Sequence, residues 1–377
     1  MQHRINCVIC LKKIDEEPLY LLKNFPFLYV PKLREDSVDN DIFFNLNLYG
    51  CNNCGCVQLK NLIDPKILYE IPHNLTYNTP IWKEHHKLFS EFICKNNENC
   101  SIIEVGGYSG VLANSIKKIN NKISYKILDL CDVDPNIENV KFIQGNCENY
   151  TFNKNETVVL SHVFEHLYTP HSFIKNLKTN NVQNVYLSIP NMLDQIAFKR
   201  IPIVHQEHTF FCSFDNIKYL FGFYGYKCIE SYFYINQSIF FYFGLSSITI
   251  PKEINFFENS SHITTNLIDA YKYNEDIISN LNILDSFYIS PAGLYGQILY
   301  HFLKDVCKNK CLGFLDNDPS KNGKRLYGIP KNHGNIYKMD EIKNKENLLI
   351  ILYNGPYAEE IKNQLLDINS TLKITKV

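Results

Sequence analysis

Short apolar runs alternate with helix-spaced segments through the middle of this chain, and that alternation predicts a parallel sheet covered by helices. Strands are expected around 102–104, at 124–129, 140–143, 158–160 and 185–189, the last halted by Pro190. Continuous apolar runs are what strands buried on both faces need. The aromatic-rich segment 232–250 is broken by Asn236, Gln237, Ser238 and Gly244. It reads as further strands rather than as a membrane span. After a soft break at Asn259-Ser260-Ser261, a helical pattern (Leu267, Ile268, Tyr271, Ile277, Ile278, Leu281) leads into a second set of strands at 287–290, 311–316 and 348–352. The predicted class is α/β, with two Rossmann-like sheets.

Polar residues fall at the carboxyl ends of the predicted strands, where open α/β sheets bind their ligands. Glu104 closes the first run, and Gly106, Gly107 and Gly110 follow just before a helical pattern begins. Such a turn lets backbone approach a ligand closely at a helix N-terminus. Asp129 ends the second strand about twenty residues beyond the last glycine, placed to accept hydrogen bonds from both hydroxyls of a ribose. Gly145-Asn146 ends the third strand; Ser161 ends the fourth and opens Ser161-His162-Val163-Phe164-Glu165-His166. The spacing Glu-x-Gly-x-x-x-Gly departs from the dinucleotide fingerprint. It resembles the first motif of class I S-adenosylmethionine-dependent methyltransferases. The resemblance implies that the loop passes under the methionine part of S-adenosyl-L-methionine, with Asp129 on the ribose and Asn146 near the adenine.

Charge narrows the partners. Lys plus Arg (38) nearly balance Asp plus Glu (39), so no global field recruits nucleic acid or an anionic membrane. The first residues lack a secretory apolar core, and the thirteen cysteines then point to a reducing cytoplasm. Four of them form two Cys-x-x-Cys pairs, Cys7/Cys10 and Cys51/Cys54, about forty residues apart, each able to grip one side of a tetrahedral zinc ion. Cys56 is the nearby competitor as fourth ligand. Four thiolates leave no open coordination position, so the expected zinc is structural.

These anchors predict three consecutive blocks: a zinc-binding domain over 1–72, the methyltransferase domain over 73–255 and a Rossmann-like tail over 256–377. Together with Asp316-x-Asp318-Pro319-x-Lys321-x-Gly323-Lys324 they resemble the three-domain sugar C-methyltransferases, which methylate nucleotide-linked 4-keto-deoxysugars. The sharpest element is His205-Gln206-Glu207-His208 followed by Phe211-Cys212-Ser213. There the resemblance implies an active-site Glu207-His208 pair, with Tyr77 and His166 beside it. His205 stands where that family has tyrosine, and Asn236-Gln237-Ser238 lacks the family's glycine. Forming a carbon–carbon bond requires removal of a proton beside a carbonyl. His208 is the expected base, aligned by Glu207. Tyr77 and His166 are the expected donors to the enolate oxygen. Competing readings are an O- or N-methyltransferase on a nucleotide sugar or other glycan precursor, and a non-catalytic zinc-containing binding module. The sequence pattern fixes no oligomeric state, and the incomplete glycine pattern of the tail disfavours a second nucleotide site at Asp316.

Overall fold

The computed structural model describes residues 2–27, 31–33, 36, 38–69, 80–96, 101–132, 134–199, 204–234, 237–246, 257–355 and 357–377. They form two compact units, neither of them one continuous block: Met1–Tyr20, Asn47–Phe198 and Ile203–Asn266 make the first, and Leu21–Leu46, Lys199–Pro202 and Leu267–Val377 the second.

The first unit is built on seven strands. They are β1 (Ser101–Val105), β2 (Ser124–Asp129), β3 (Val140–Gln144), β4 (Thr157–Ser161), β5 (Asn184–Pro190), β6 (Tyr226–Tyr234) and β7 (Ser238–Leu245). Their order is β3-β2-β1-β4-β5-β7-β6. Strands β1 to β5 run parallel, and β7 enters antiparallel between β5 and β6. This is the Rossmann-like α/β sheet expected from the sequence. The order reverses between β1 and β4, the switch point where a ligand crevice opens.

Alternate residues of each strand serve two cores. Ile103, Val158, Leu160, Val185 and Leu187 pack on one face with Phe210 and Phe221. On the other, Ile102, Ile127, Val159 and Tyr186 meet Phe89 and Phe92 of helix α1 (Pro80–Asn96) and Leu112 and Ile116 of α2 (Val111–Ile119). Cys7, Ile9, Cys51 and Cys54 belong to the first of these cores, so the cysteine head folds onto the sheet rather than apart from it. Polar ties reinforce the contact. His171, on α3 (Pro170–Thr179), places Nε2 3.1 Å from Ile9 O. A capping box on Ser213 and Asn216 starts α4 (Phe214–Phe223), and Asn216 Nδ2 donates to Cys54 O at 2.9 Å.

The second unit carries five parallel strands: β8 (Phe287–Ser290), β9 (Cys311–Asp316), β10 (Ile336–Lys338), β11 (Leu349–Leu352) and β12 (Lys373–Lys376), in the order β10-β9-β8-β11-β12. Part of the expected first block folds here. Pro31–Leu33 pairs antiparallel with Lys324–Leu326. The Arg325 guanidinium grips Asp41 in two hydrogen bonds of 2.6 and 2.9 Å, with both side chains fully buried. Asp316 accepts from Lys321 Nζ, Ala292 N and Asp318 N. Among the described residues, no helix is long and apolar enough to cross a membrane.

Candidate functional site

A cavity opens at the carboxyl ends of β1, β2, β3 and β4 in the first unit. Gly106, at the end of β1, adopts φ +70°, and a Cβ there would lie 2.5 Å from Val163. No larger residue fits that turn. Gly107 stands against the Glu104 carboxyl and Gly110 begins α2, so these two shape the loop while Gly106 and Tyr108 face the cavity.

Glu104 itself is not a lining residue. It is 3 % exposed, accepts from Tyr125 Oη at 2.8 Å, and burial pushes its carboxyl up to about 7. It buttresses from beneath the loop, Glu104 to Gly110, over which the sequence places the cofactor. Asp129 does line the cavity. Its Oδ2 accepts from Tyr108 N and its Oδ1 from Cys131 N, both at 2.9 Å, pinning the carboxylate across the turn. Each oxygen keeps a second lone pair for a ligand hydroxyl. Burial raises the Asp129 carboxyl, and the N–H groups of Cys131 and Tyr108 oppose that shift. Asn146 also lines the cavity, its Oδ1 held by Glu148 N. Ser161 also lines it, and its Oγ is buried with no hydrogen-bond partner. An orphaned hydroxyl, a glycine cradle and a diol-ready carboxylate together fit S-adenosyl-L-methionine.

The same cavity continues into imidazoles and carboxylates. His162, His166, Tyr69 and Glu207 line it. His166 Nδ1 lies 3.0 Å from Tyr69 Oη and 3.9 Å from Glu207 Oε2. Burial holds the Tyr69 phenol well above its usual range, with the Glu207 charge adding to the shift, so it stays a neutral hydroxyl. His208 and His205 are not lining residues; the His208 ring stands 5.0 Å from that of His166 and 4.1 Å from that of His205. Its Nε2 lies 3.9 Å from Glu165 Oε1. The sequence paired Glu207 with His208. The structure instead brings Glu207 within 3.9 Å of His166 and Glu165 within 3.9 Å of His208, with Glu207 in a turn. Tyr77 lies outside the described residues.

Backbone bonds lock these groups together. Thr209 N donates to Glu165 O at 2.9 Å, and Thr209 Oγ1 to Leu167 O at 2.7 Å. The buried Arg4 guanidinium reaches Thr209 O, Leu167 O and Tyr168 O at 2.6, 3.1 and 3.1 Å. Burial lowers its pKa to about 10. The segment around Arg4 thus fastens both histidine-bearing loops. Tyr69, His162, Glu165 and Arg4 escape sequence reading, because only the fold brings them together; the left-handed backbone of His162 (φ 54°) leaves no mark in the sequence.

The four expected zinc ligands converge. Their sulfurs lie within 4.8 Å of one another, with Cys7–Cys54 and Cys10–Cys51 each at 3.5 Å. Tetrahedral zinc with Zn–S near 2.3 Å separates its sulfurs by about 3.8 Å, so the set fits. Bonding from the other thiols, Cys51 first, holds Cys10 far below the usual thiol range, while bonding with Cys10 raises Cys7 to about 12. A divalent cation would let all four ionise together. Cys56 stands aside and donates to Val57 O.

No protein-family profile and no curated protein matches the sequence. Solved structures give partial likenesses. A candidate O-methyltransferase of Nostoc punctiforme is 17% identical over 43% of this chain and 57% of that one, with a TM-score of 0.36. The match therefore spans little more than half of that protein. Magnesium protoporphyrin IX methyltransferase of Synechocystis is 13% identical over 44% and 84% of the two chains (TM-score 0.35). The CurJ carbon methyltransferase is 10% identical over 49% and 62% (TM-score 0.38). At these values the functional assignment rests on the residues of the site.

Proposed function

We propose that this chain is an S-adenosyl-L-methionine-dependent methyltransferase that methylates a carbon of a nucleotide-linked 4-keto-deoxysugar. One observation carries the reading: a glycine turn, a pinned ribose-type acid and an imidazole–carboxylate wall all line a single cavity. The sugar class is drawn from the resemblance around Glu207-His208 and the four-cysteine head. When bound, the cofactor supplies an electrophilic methyl group on a sulfonium. Gly106, Asp129, Asn146 and Ser161 would hold it. His166 then serves as the base that takes a proton from the carbon beside the ketone. Its Nδ1–H donates toward the Tyr69 oxygen and Glu207, which leaves Nε2 unprotonated for the acceptor. Zinc in the four-cysteine site has no open position and holds the head in shape.

Labelled S-adenosyl-L-methionine incubated with nucleotide-linked 4-keto sugars should give a new carbon-bound methyl by NMR. Without the cofactor, the protein should still exchange the proton beside the ketone for solvent deuterium. His166→Asn should lower both rates about a hundred- to ten-thousand-fold, the range for losing a positioned base. A methyl on oxygen or nitrogen, with no deuterium exchange, would overturn the carbon assignment.

A further inference from the structure

Glu165 is a charge whose role the reading above leaves open. It is 4 % exposed, and neither carboxylate oxygen accepts a hydrogen bond. Its Oε1 lies 3.4 Å from His162 Nδ1 and 3.9 Å from His208 Nε2. A carboxylate out of water is costly unless a cation sits beside it. Two imidazoles from different elements share this one oxygen.

We propose that Glu165 is a positioning residue that keeps one proton on the His162/His208 pair, so that an imidazolium stands beside the cavity that holds the base. This rests on the acid–base reading of the site and deepens it. One carboxylate, Glu207, serves the imidazole that accepts a proton, and the other, Glu165, serves the pair that holds one.

The neighbours leave this pair as the place for the proton. From α1, His85 packs 5.1 Å from the His162 ring and Trp82 at 4.8 Å. Burial holds His85 well below the usual imidazole range and His86 down to about 4, so both stay neutral. From β7, Ser238 Oγ is 2.8 Å from His162 Nε2 and carries no charge. From the segment before β6, Cys212 faces Glu165; its thiol is raised first by burial and next by the Glu165 charge. His205 packs on His208, and Glu207 faces His166.

The test is a histidine NMR titration of the full-length, zinc-loaded protein, which needs no methyl acceptor. In the wild type, one imidazole of the pair should stay protonated at least tenfold more tightly than an ordinary histidine. Glu165→Gln should remove that advantage, and Glu165→Asp should restore part of it. Glu165→Gln should also move the pH profile of turnover while leaving cofactor affinity unchanged. If Glu165→Gln does not fold, His162→Asn provides a second arm: with its competitor gone, His208 should hold the proton more tightly. Unchanged titrations in both variants would overturn the proposal. So would a second bound metal equivalent that Glu165→Gln removes. Failure to methylate any 4-keto sugar would count against the proposed substrate alone, since the titration is read without one.

Discussion

Asp129 is anchored at both oxygens by backbone N–H groups, so it presents its remaining lone pairs in one direction, into the cavity. Replacing it by Ala removes a charge-assisted acceptor worth roughly 1.5–3 kcal/mol, about ten- to a hundred-fold in affinity. Calorimetry with S-adenosyl-L-methionine checks this, and unchanged affinity would place the ribose elsewhere. Glu104 has a different signature. Its carboxyl is raised from 4.5 to about 7, mainly by burial, so between those values the folded chain binds more protons than the unfolded one. Stability from this group is full below pH 4.5 and is lost as pH rises through about 7. The loss amounts to about 3 kcal/mol. Glu104→Gln keeps an acceptor for Tyr125 and should flatten that decline in denaturant midpoints measured at pH 5 and pH 8. An equal slope in the variant would assign the pH dependence to other groups.

At the scale of elements, sequence reading went furthest where local chemistry has one solution. A run such as Val158–Leu160, fully buried, announces a central strand, and a turn built on Gly106 announces itself by glycine. The Cys-x-x-Cys pairs were legible for the same reason, since two residues of spacer bring two sulfurs to one point. The histidine loops were only half legible. Their residues could be named, but which carboxylate serves which imidazole depends on the bond between Thr209 N and Glu165 O, across forty-odd positions of chain that no spacing rule covers. The cysteine head matters here because Arg4 ties it to those loops. Cys10→Ser opens a closed site, and zinc content by elemental analysis should fall from one per chain toward zero. Solubility and thermal stability should drop before any change in chemistry. Freshly purified wild-type protein without zinc would sink the metal assignment.

Across the whole chain, the unexpected feature is the departure of residues 21–46 from the cysteine head to the unit that holds the tail. Nothing local in that stretch foretold it, because its partners lie almost three hundred positions away: Arg325 bonds Asp41, and Lys324–Leu326 pairs with Pro31–Leu33. The ion pair shows how firmly the stretch is held. Both side chains are fully buried, Gly328 N adds a hydrogen bond to Asp41 Oδ2, and Lys32 Nζ approaches Oδ1 at 3.7 Å. Removing the arginine alone strands a carboxylate out of water, a loss of about 3–5 kcal/mol. Removing both charges leaves a mostly apolar contact of similar volume, which the same reasoning makes nearly neutral. Arg325→Met should therefore lower the denaturation midpoint sharply, and Arg325→Met with Asp41→Asn should recover most of the loss. Zinc content and cofactor affinity are set by residues of the first unit and should hold in both variants below the transition. A double variant as unstable as the single one would mean that the guanidinium, through its bond to Asp36 O and its packing, stabilises this unit by more than its charge.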